Sequence, residues 1–175
     1  MTDDGTFKEL HTAYTWIASL PHKLKIIVAG NHDYSLERGH SHFDPQSSAL
    51  FTSDEARAKG IVYLDRTVQT VAYVTSPTGE KRPLTVYGNP MQPNFLTKSA
   101  LDSFTYPPFP DPAAEKAWAD APTAADNAQV WVMHSPPRDH LDETNRSGFW
   151  GCDVQAAKIA AAKPRLVVFG HFHFS

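Results

Sequence analysis

The sequence predicts a mixed α/β domain, and three observations carry that prediction. Short runs of branched apolar residues, too short for helices, recur along the chain. An amphipathic segment with a helix-start signature leads the first of them. In the last third, strand-like and helix-like segments alternate.

Taken in order, Phe7, Leu10, Tyr14, Ile17 and Leu20 recur at helical spacing. Thr6 with Glu9 has the form of a capping box, and Pro21, lacking an amide donor, stops the helix. Leu24 to Ala29 reads as a buried strand. A polar stretch runs from Asn31 to Ser48, then a short helix from Ser53 to Lys59 with Gly60 as its C-terminal cap. Ile61 to Leu64 is a strand. Val68 to Val74 and Pro83 to Tyr87 form a hairpin about the turn Ser76-Pro77-Thr78-Gly79. Prolines make Gly88 to Pro112 irregular, yet Phe95, Leu96, Leu101, Phe104, Tyr106 and Phe109 are too apolar for a linker in water. A helix at Pro112 to Asp120, a strand at Gln129 to Met133, a helix at Asp153 to Ala162 and a strand at Arg165 to Phe169 complete the pattern.

The 175 residues, 41% hydrophobic and 20% charged, suit one domain with its own core. No apolar run is long enough to span a membrane. Sixteen basic against 19 acidic residues, a net charge of -3, argue against dedicated nucleic-acid binding. Cys152 is the lone cysteine and reads as a small buried residue at a helix start, and the first residues carry no basic-then-apolar leader; the expected setting is reducing and cytoplasmic. Nine histidines and 14 prolines are the unusual counts.

The chemistry lies at the carboxyl ends of the strands, where ligands bind in open α/β sheets. Leu24–Ala29 runs into Gly30-Asn31-His32-Asp33, Leu84–Tyr87 into Gly88-Asn89-Pro90, Gln129–Met133 into His134-Ser135-Pro136-Pro137, and Arg165–Phe169 into Gly170-His171-Phe172-His173. In an extended segment His171 and His173 point to one side, so their rings can serve one metal or two adjacent ones. Imidazole suits Zn, Fe, Mn and Ni. Asn31 adds a hard carbonyl oxygen and His134 a further ring. His32 beside Asp33 suits a general acid. Glycines 30, 88 and 170 are expected to turn the backbone sharply toward an ion or phosphate. Singly these motifs have ordinary explanations as turns, and His40-Ser41-His42 reads as loop residues; their shared position at strand ends is the signal.

In this order the motifs resemble the calcineurin-like metallophosphoesterase superfamily, and within it the metallophosphoesterase-domain-containing subgroup. The resemblance rests also on Tyr87-Gly88-Asn89-Pro90-Met91-Gln92-Pro93 and on Gly151-Cys152 before the last helix. It implies a β-sandwich of mixed sheets flanked by helices, and hydrolysis of a phosphomonoester or phosphodiester by a metal-bound hydroxide between two divalent ions (Mn, Fe or Zn). By position it implies Asn31, His134 and His171 as ligands of the second metal, His173 as ligand of the first, His32 as the acid that protonates the leaving alkoxide, and Asp33 as its orienting partner. The family's opening Asp-x-His and Gly-Asp motifs are absent. The expectation is therefore a single domain over residues 1–175, incomplete at its N-terminus and at its C-terminus, that binds at most one metal tightly and hydrolyses poorly. Its lead strand, Leu24–Ala29, would have unpaired amides on one edge.

Two other functions fit the residues: a non-catalytic protein that keeps a metal or nucleotide pocket, and a mononuclear Zn hydrolase using His134, His171 and His173. The pocket walls are expected from Gly88 to Pro110 and from Arg138 to Trp150. Arg138 or Arg146 would face a phosphate or remain a solvated loop arginine; Phe149 and Trp150 would stack on a base or cover the core. The substrate is a small phosphoester; oligomeric state is open.

Overall fold

The computed structural model describes residues 1–95, 102–107, 112–144 and 148–172. Helix α1 (Phe7–Ser19) begins at Thr6, whose hydroxyl and amide are engaged by Glu9 in the expected capping box, worth about 1 kcal/mol. Leu10 and Ile17 are buried from its apolar stripe, whereas Phe7 is 42% exposed. The short strand β1 (Lys25–Ile27) pairs in parallel with β2 (Ile61–Tyr63), and among the described residues no strand lies on its other edge.

Between these strands lie helix α2 (Pro45–Thr52) and helix α3 (Asp54–Ala58). The sequence reading assigned Asn31 to Ser48 only as a polar stretch, and α2 begins inside it. Asp44 caps it through the amides of Gln46 and Ser47, and Pro45 occupies the first turn, where its missing donor costs nothing. Ser53 caps α3, and Gly60, in the left-handed region at φ +75°, closes it.

The main sheet has the order β3-β4-β7-β8. The hairpin of β3 (Thr67–Thr75) and β4 (Lys81–Asn89) is antiparallel, with a register shift between Thr70 and Ala72. Two short strands, β5 (Gln92–Pro93) and β6 (Thr105–Tyr106), pair beyond β4, and helix α4 (Pro112–Ala117) follows. Strand β7 (Val130–Met133) lies parallel to β4, and after helix α5 (Asp153–Ala162) strand β8 (Leu166–Val168) lies parallel to β7.

The two larger sheets share one core. The chain at Gly88 comes so close to the other sheet that a β-carbon there would stand 2.2 Å from Leu64 Cβ. Gly88 therefore serves packing inside a strand, not the sharp turn expected of it. The ring of Tyr87 meets Trp131 edge-on at 4.9 Å, and the buried Trp118 indole donates to the Tyr106 hydroxyl. Phe104 and Tyr106 join this core, as their composition required; Leu96, Leu101 and Phe109 lie outside the described residues. Among the described residues no helix is long and apolar enough to cross a membrane.

Candidate active site

Parallel pairing of β4, β7 and β8 brings their carboxyl ends side by side, and backbone hydrogen bonds lock the loops that follow. The amide of His134 donates to the Asn89 carbonyl at 3.2 Å, and that of Gly170 to the His134 carbonyl at 3.1 Å. From the other sheet, the loop at Gly30–Asp33 is held by Ser103, whose amide donates to the Asn31 carbonyl at 2.9 Å. Gly30 passes directly over His134: a β-carbon there would meet ring atom Cε1 at 2.5 Å. The role of Gly30 is this close approach, since its φ lies outside the left-handed region. Among the described residues nothing lies within 4 Å of a β-carbon built on Gly170, its chain neighbours aside.

Asn31, His134 and His171 meet at one cavity of about 320 Å³, which His32 and Gly30 also line. The His134 and His171 rings are 4.6 Å apart between centroids, and Asn31 Oδ1 stands 3.0 Å from His134 Nε2. His171 sits at φ +74°, a left-handed backbone that costs on the order of 1–3 kcal/mol. Burial first, then the neighbouring His171, the Met1 amine and His32, pull the His134 pKa down to about 3, so its ring is neutral near pH 7. A neutral ring leaves a lone pair for coordination.

The donor set fits an ion site in its spacing and chemistry. Asn31 Oδ1 and His134 Nε2 stand 3.0 Å apart, the spacing of two donors bonded at about 2.1 Å at right angles. The backbone amide of Asn31 also lies 3.3 Å from Nε2, and a cation there would take the Nε2 lone pair in its place. Among the described residues no group of three or more His, Cys, Asp or Glu side chains is placed to hold a metal, and the set here is two imidazoles with one amide oxygen. His173 lies outside the described residues, as does Arg146.

His32 stands exposed at the cavity mouth. Its Nδ1 lies 2.8 Å from the Asp3 carbonyl and 3.2 Å from the Tyr34 hydroxyl. The Asp3 carbonyl can only accept, so Nδ1 keeps its proton and Nε2 is the free nitrogen. Sequence reasoning missed both partners, because neither a backbone carbonyl 29 positions away nor a tyrosine two positions on leaves a motif. Asp33 is turned elsewhere. Fully buried, it accepts from the Gly30 amide (2.7 Å), the Thr2 amide and hydroxyl (3.1 and 2.8 Å) and the Met1 amine (3.2 Å). Its hydrogen bonds thus fix the loop backbone, whereas those on the His32 ring come from Asp3 and Tyr34.

Other expected wall residues divide. Trp150 lies beside the site, 5.3 Å from Phe95 and 6.4 Å from Phe172 between ring centroids. Arg138 donates to the Phe149 carbonyl and stands over the Phe149 ring, away from the cavity lining. Asn89 is buried and internal, its amide donating to the Tyr87 hydroxyl and its oxygen accepting from the Met91 amide.

The sequence matches the family model described as calcineurin-like phosphoesterase over residues 1–175. The chain belongs to this family. Calcineurin-like phosphoesterases act on phosphoric esters and generally use divalent metals, which frames the cavity chemically. Similar curated proteins include a probable rhamnogalacturonate lyase C of Emericella nidulans, 34% identical over 176 residues that cover 99% of this chain and 14% of that protein. Metallophosphoesterase domain-containing protein 1 of Homo sapiens is 26% identical over 186 residues, covering 98% of this chain and 51% of that protein. A UPF0046 protein of Caenorhabditis elegans is 25% identical over 175 residues, covering 98% and 53%. A solved crystal structure, 17% identical, shares the fold with a TM-score of 0.57 over 95% of this chain and 57% of that one. The chain thus spans from a seventh to about half the length of these curated relatives.

Proposed function

We propose that this chain carries a metal-dependent phosphoesterase site, with Asn31, His134 and His171 as ligands of one divalent ion and His32 as the general acid. The observation that supports it best is the meeting of Asn31 Oδ1 and His134 Nε2 at 3.0 Å beside His171, on a cavity that His32 borders. A divalent ion held there supplies Lewis acidity toward a phosphoryl oxygen. The residues do the rest. As water adds to phosphorus and the P–O ester bond breaks, His32, acting from its imidazolium form with Nδ1–H on the Asp3 carbonyl, would pass the Nε2 proton to the departing alkoxide, and the proton released by the attacking water would leave to solvent and restore the imidazolium. Asp33 acts as a positioning residue: by accepting from the Gly30 amide it holds the loop that presents Asn31 and His32. By position in the family's motif, His173 would be a ligand of the other metal of the pair.

Monoesters and diesters both remain within this reading, and so does slow turnover. The donors are neutral, so no carboxylate among them offsets the charge of a second dication. The preferred ions are Mn, Fe or Zn, the substrate a small phosphoester, and the lone buried Cys152 supports a cytoplasmic setting. A second reading, a non-catalytic metal- or nucleotide-binding protein, draws on the donors at the cavity, which are an amide oxygen and imidazoles with no carboxylate to support a bridged pair of ions. Assaying p-nitrophenyl phosphate and bis(p-nitrophenyl) phosphate with added Mn²⁺ separates the two. The phosphoesterase reading expects metal-stimulated release of nitrophenol that falls on substitution of His32; stabilisation by Mn²⁺ with no release supports the second.

A further inference from the structure

His40-Ser41-His42, which reads as loop in the sequence, packs against a residue that touches the candidate general acid. The Tyr34 ring stacks on His40 at 5.8 Å between centroids and 18° between planes, and the His42 ring stands 6.4 Å from it. The two imidazoles are 5.4 Å apart, and the His42 amide donates to His40 Nδ1 at 3.2 Å, which orients the His40 ring. Backbone hydrogen bonds tie the turn down. The His40 amide donates to the Glu37 carbonyl at 3.1 Å, and the Phe43 amide to the His40 carbonyl at 3.0 Å. Gly5 also closes on Tyr34: a β-carbon there would stand 2.8 Å from Cδ2. Held in this way, Tyr34 places its hydroxyl 3.2 Å from His32 Nδ1. We infer that Tyr34 is a positioning residue for the general acid His32, and that the His40-Ser41-His42 turn is the buttress that holds Tyr34. The inference rests on the phosphoesterase reading and adds to its machinery a motif that the reading leaves idle.

The need for support follows from exposure. His32 is an exposed side chain, so its ring keeps the rotamer freedom that burial removes. A proton donor works only within hydrogen-bond reach of the leaving oxygen, and a ring displaced by an ångström loses much of its effect. The Asp3 carbonyl, 2.8 Å from Nδ1, is one point of support and leaves the ring free to pivot about it. The Tyr34 oxygen is a second: it accepts from the same Nδ1–H in a forked hydrogen bond. Burial first, then the charges of Asp102, Asp4, Glu9 and Asp33, raise the Tyr34 pKa, so the hydroxyl stays neutral. Neither Tyr34 nor His40 lines the cavity, so the pair acts through His32 and not on the substrate.

The test compares turnover of matched phenyl and p-nitrophenyl phosphoesters, as monoesters and as diesters, with added Mn²⁺. Nitrophenolate departs readily without a proton, whereas phenolate, the stronger base, depends on one in the transition state. Tyr34→Phe should therefore lower turnover of the phenyl ester about tenfold, as one hydrogen bond to a charged ring allows, and that of the nitrophenyl ester less than about threefold. His40→Ala should show the same split, and His40→Phe, which keeps a stacking ring, should restore most of the loss. By NMR, the His32 side chain should hold one χ1 rotamer in the unaltered chain and average over several in Tyr34→Phe. An equal loss on both esters, no loss on either, or a His32 rotamer indifferent to Tyr34→Phe overturns the inference; the phosphoesterase reading stands if His32→Ala still slows the phenyl ester. Should Tyr34→Phe not fold, the two His40 variants decide by the same split. No turnover by the unaltered chain, or no effect of His32→Ala on the phenyl ester, overturns both.

Discussion

Gly30 lies flat against the ring of His134: a β-carbon on residue 30 would stand 2.5 Å from Cε1 and 2.9 Å from Nδ1. The glycine is thus a spacer between two loops from different sheets. Gly30→Ala must push the imidazole aside or lift the loop that carries Asn31. We expect a loss of about 1–3 kcal/mol in urea unfolding, and weaker Mn²⁺ binding in the folded fraction. Gly170→Ala, with none of the described residues beyond its chain neighbours within 4 Å of its added carbon, is the control and should bind Mn²⁺ normally.

The His32 ring is oriented by Asp3 and Tyr34, and among the described residues no hydrogen bond joins it to a candidate ligand. Replacing it with alanine should lower turnover of an aryl phosphoester by about 100-fold or more. Bound metal, measured by elemental analysis, should not change. Loss of metal in parallel with activity would assign His32 to the ion and not to proton transfer.

Asp33 holds the loop from beneath. Removing a buried, fully engaged carboxylate strands the Gly30 and Thr2 amides, so Asp33→Ala should cost roughly 3 kcal/mol in stability. A melt that matches the unaltered protein would show that these hydrogen bonds do not support the loop.

Glu9 accepts from the amides of Asp3, Asp4 and Thr6 and from the Thr6 hydroxyl. The Thr6 hydroxyl, ahead of the Thr6 amide, holds its pKa down at about 2, against an ordinary 4.5. Because the folded value is the lower one, the contribution is full above pH 4.5 and is lost as pH falls toward 2. Thermal melts of Glu9→Gln and the unaltered chain should therefore differ most near neutral pH and draw together across that window. A gap independent of pH would contradict the assignment.

Legibility in the sequence followed the range of the interactions. The α1 cap, the hairpin and the α5 limits are written in residues a few positions apart, and they stand where the periodicity and turn chemistry put them. Helix α2 was legible too, through Asp44-Pro45, but its weak apolar stripe hid it behind polar neighbours. The meeting of Asn31, His134 and His171 followed from a rule about strand ends and from the family's motif order. The partners of Asp33 and His32 did not, because a carboxylate beside a histidine in sequence need not face it in space. Phe7, expected on the buried stripe, is half-exposed because no described element covers that side of α1.

Metal stoichiometry tests the central claim most directly. Equilibrium dialysis against Mn²⁺ followed by elemental analysis should find a single tightly held ion per chain, and Asn31→Ala should release it while leaving the fold intact. An unaltered chain that emerges empty, or an Asn31→Ala variant that keeps its ion, would contradict the account.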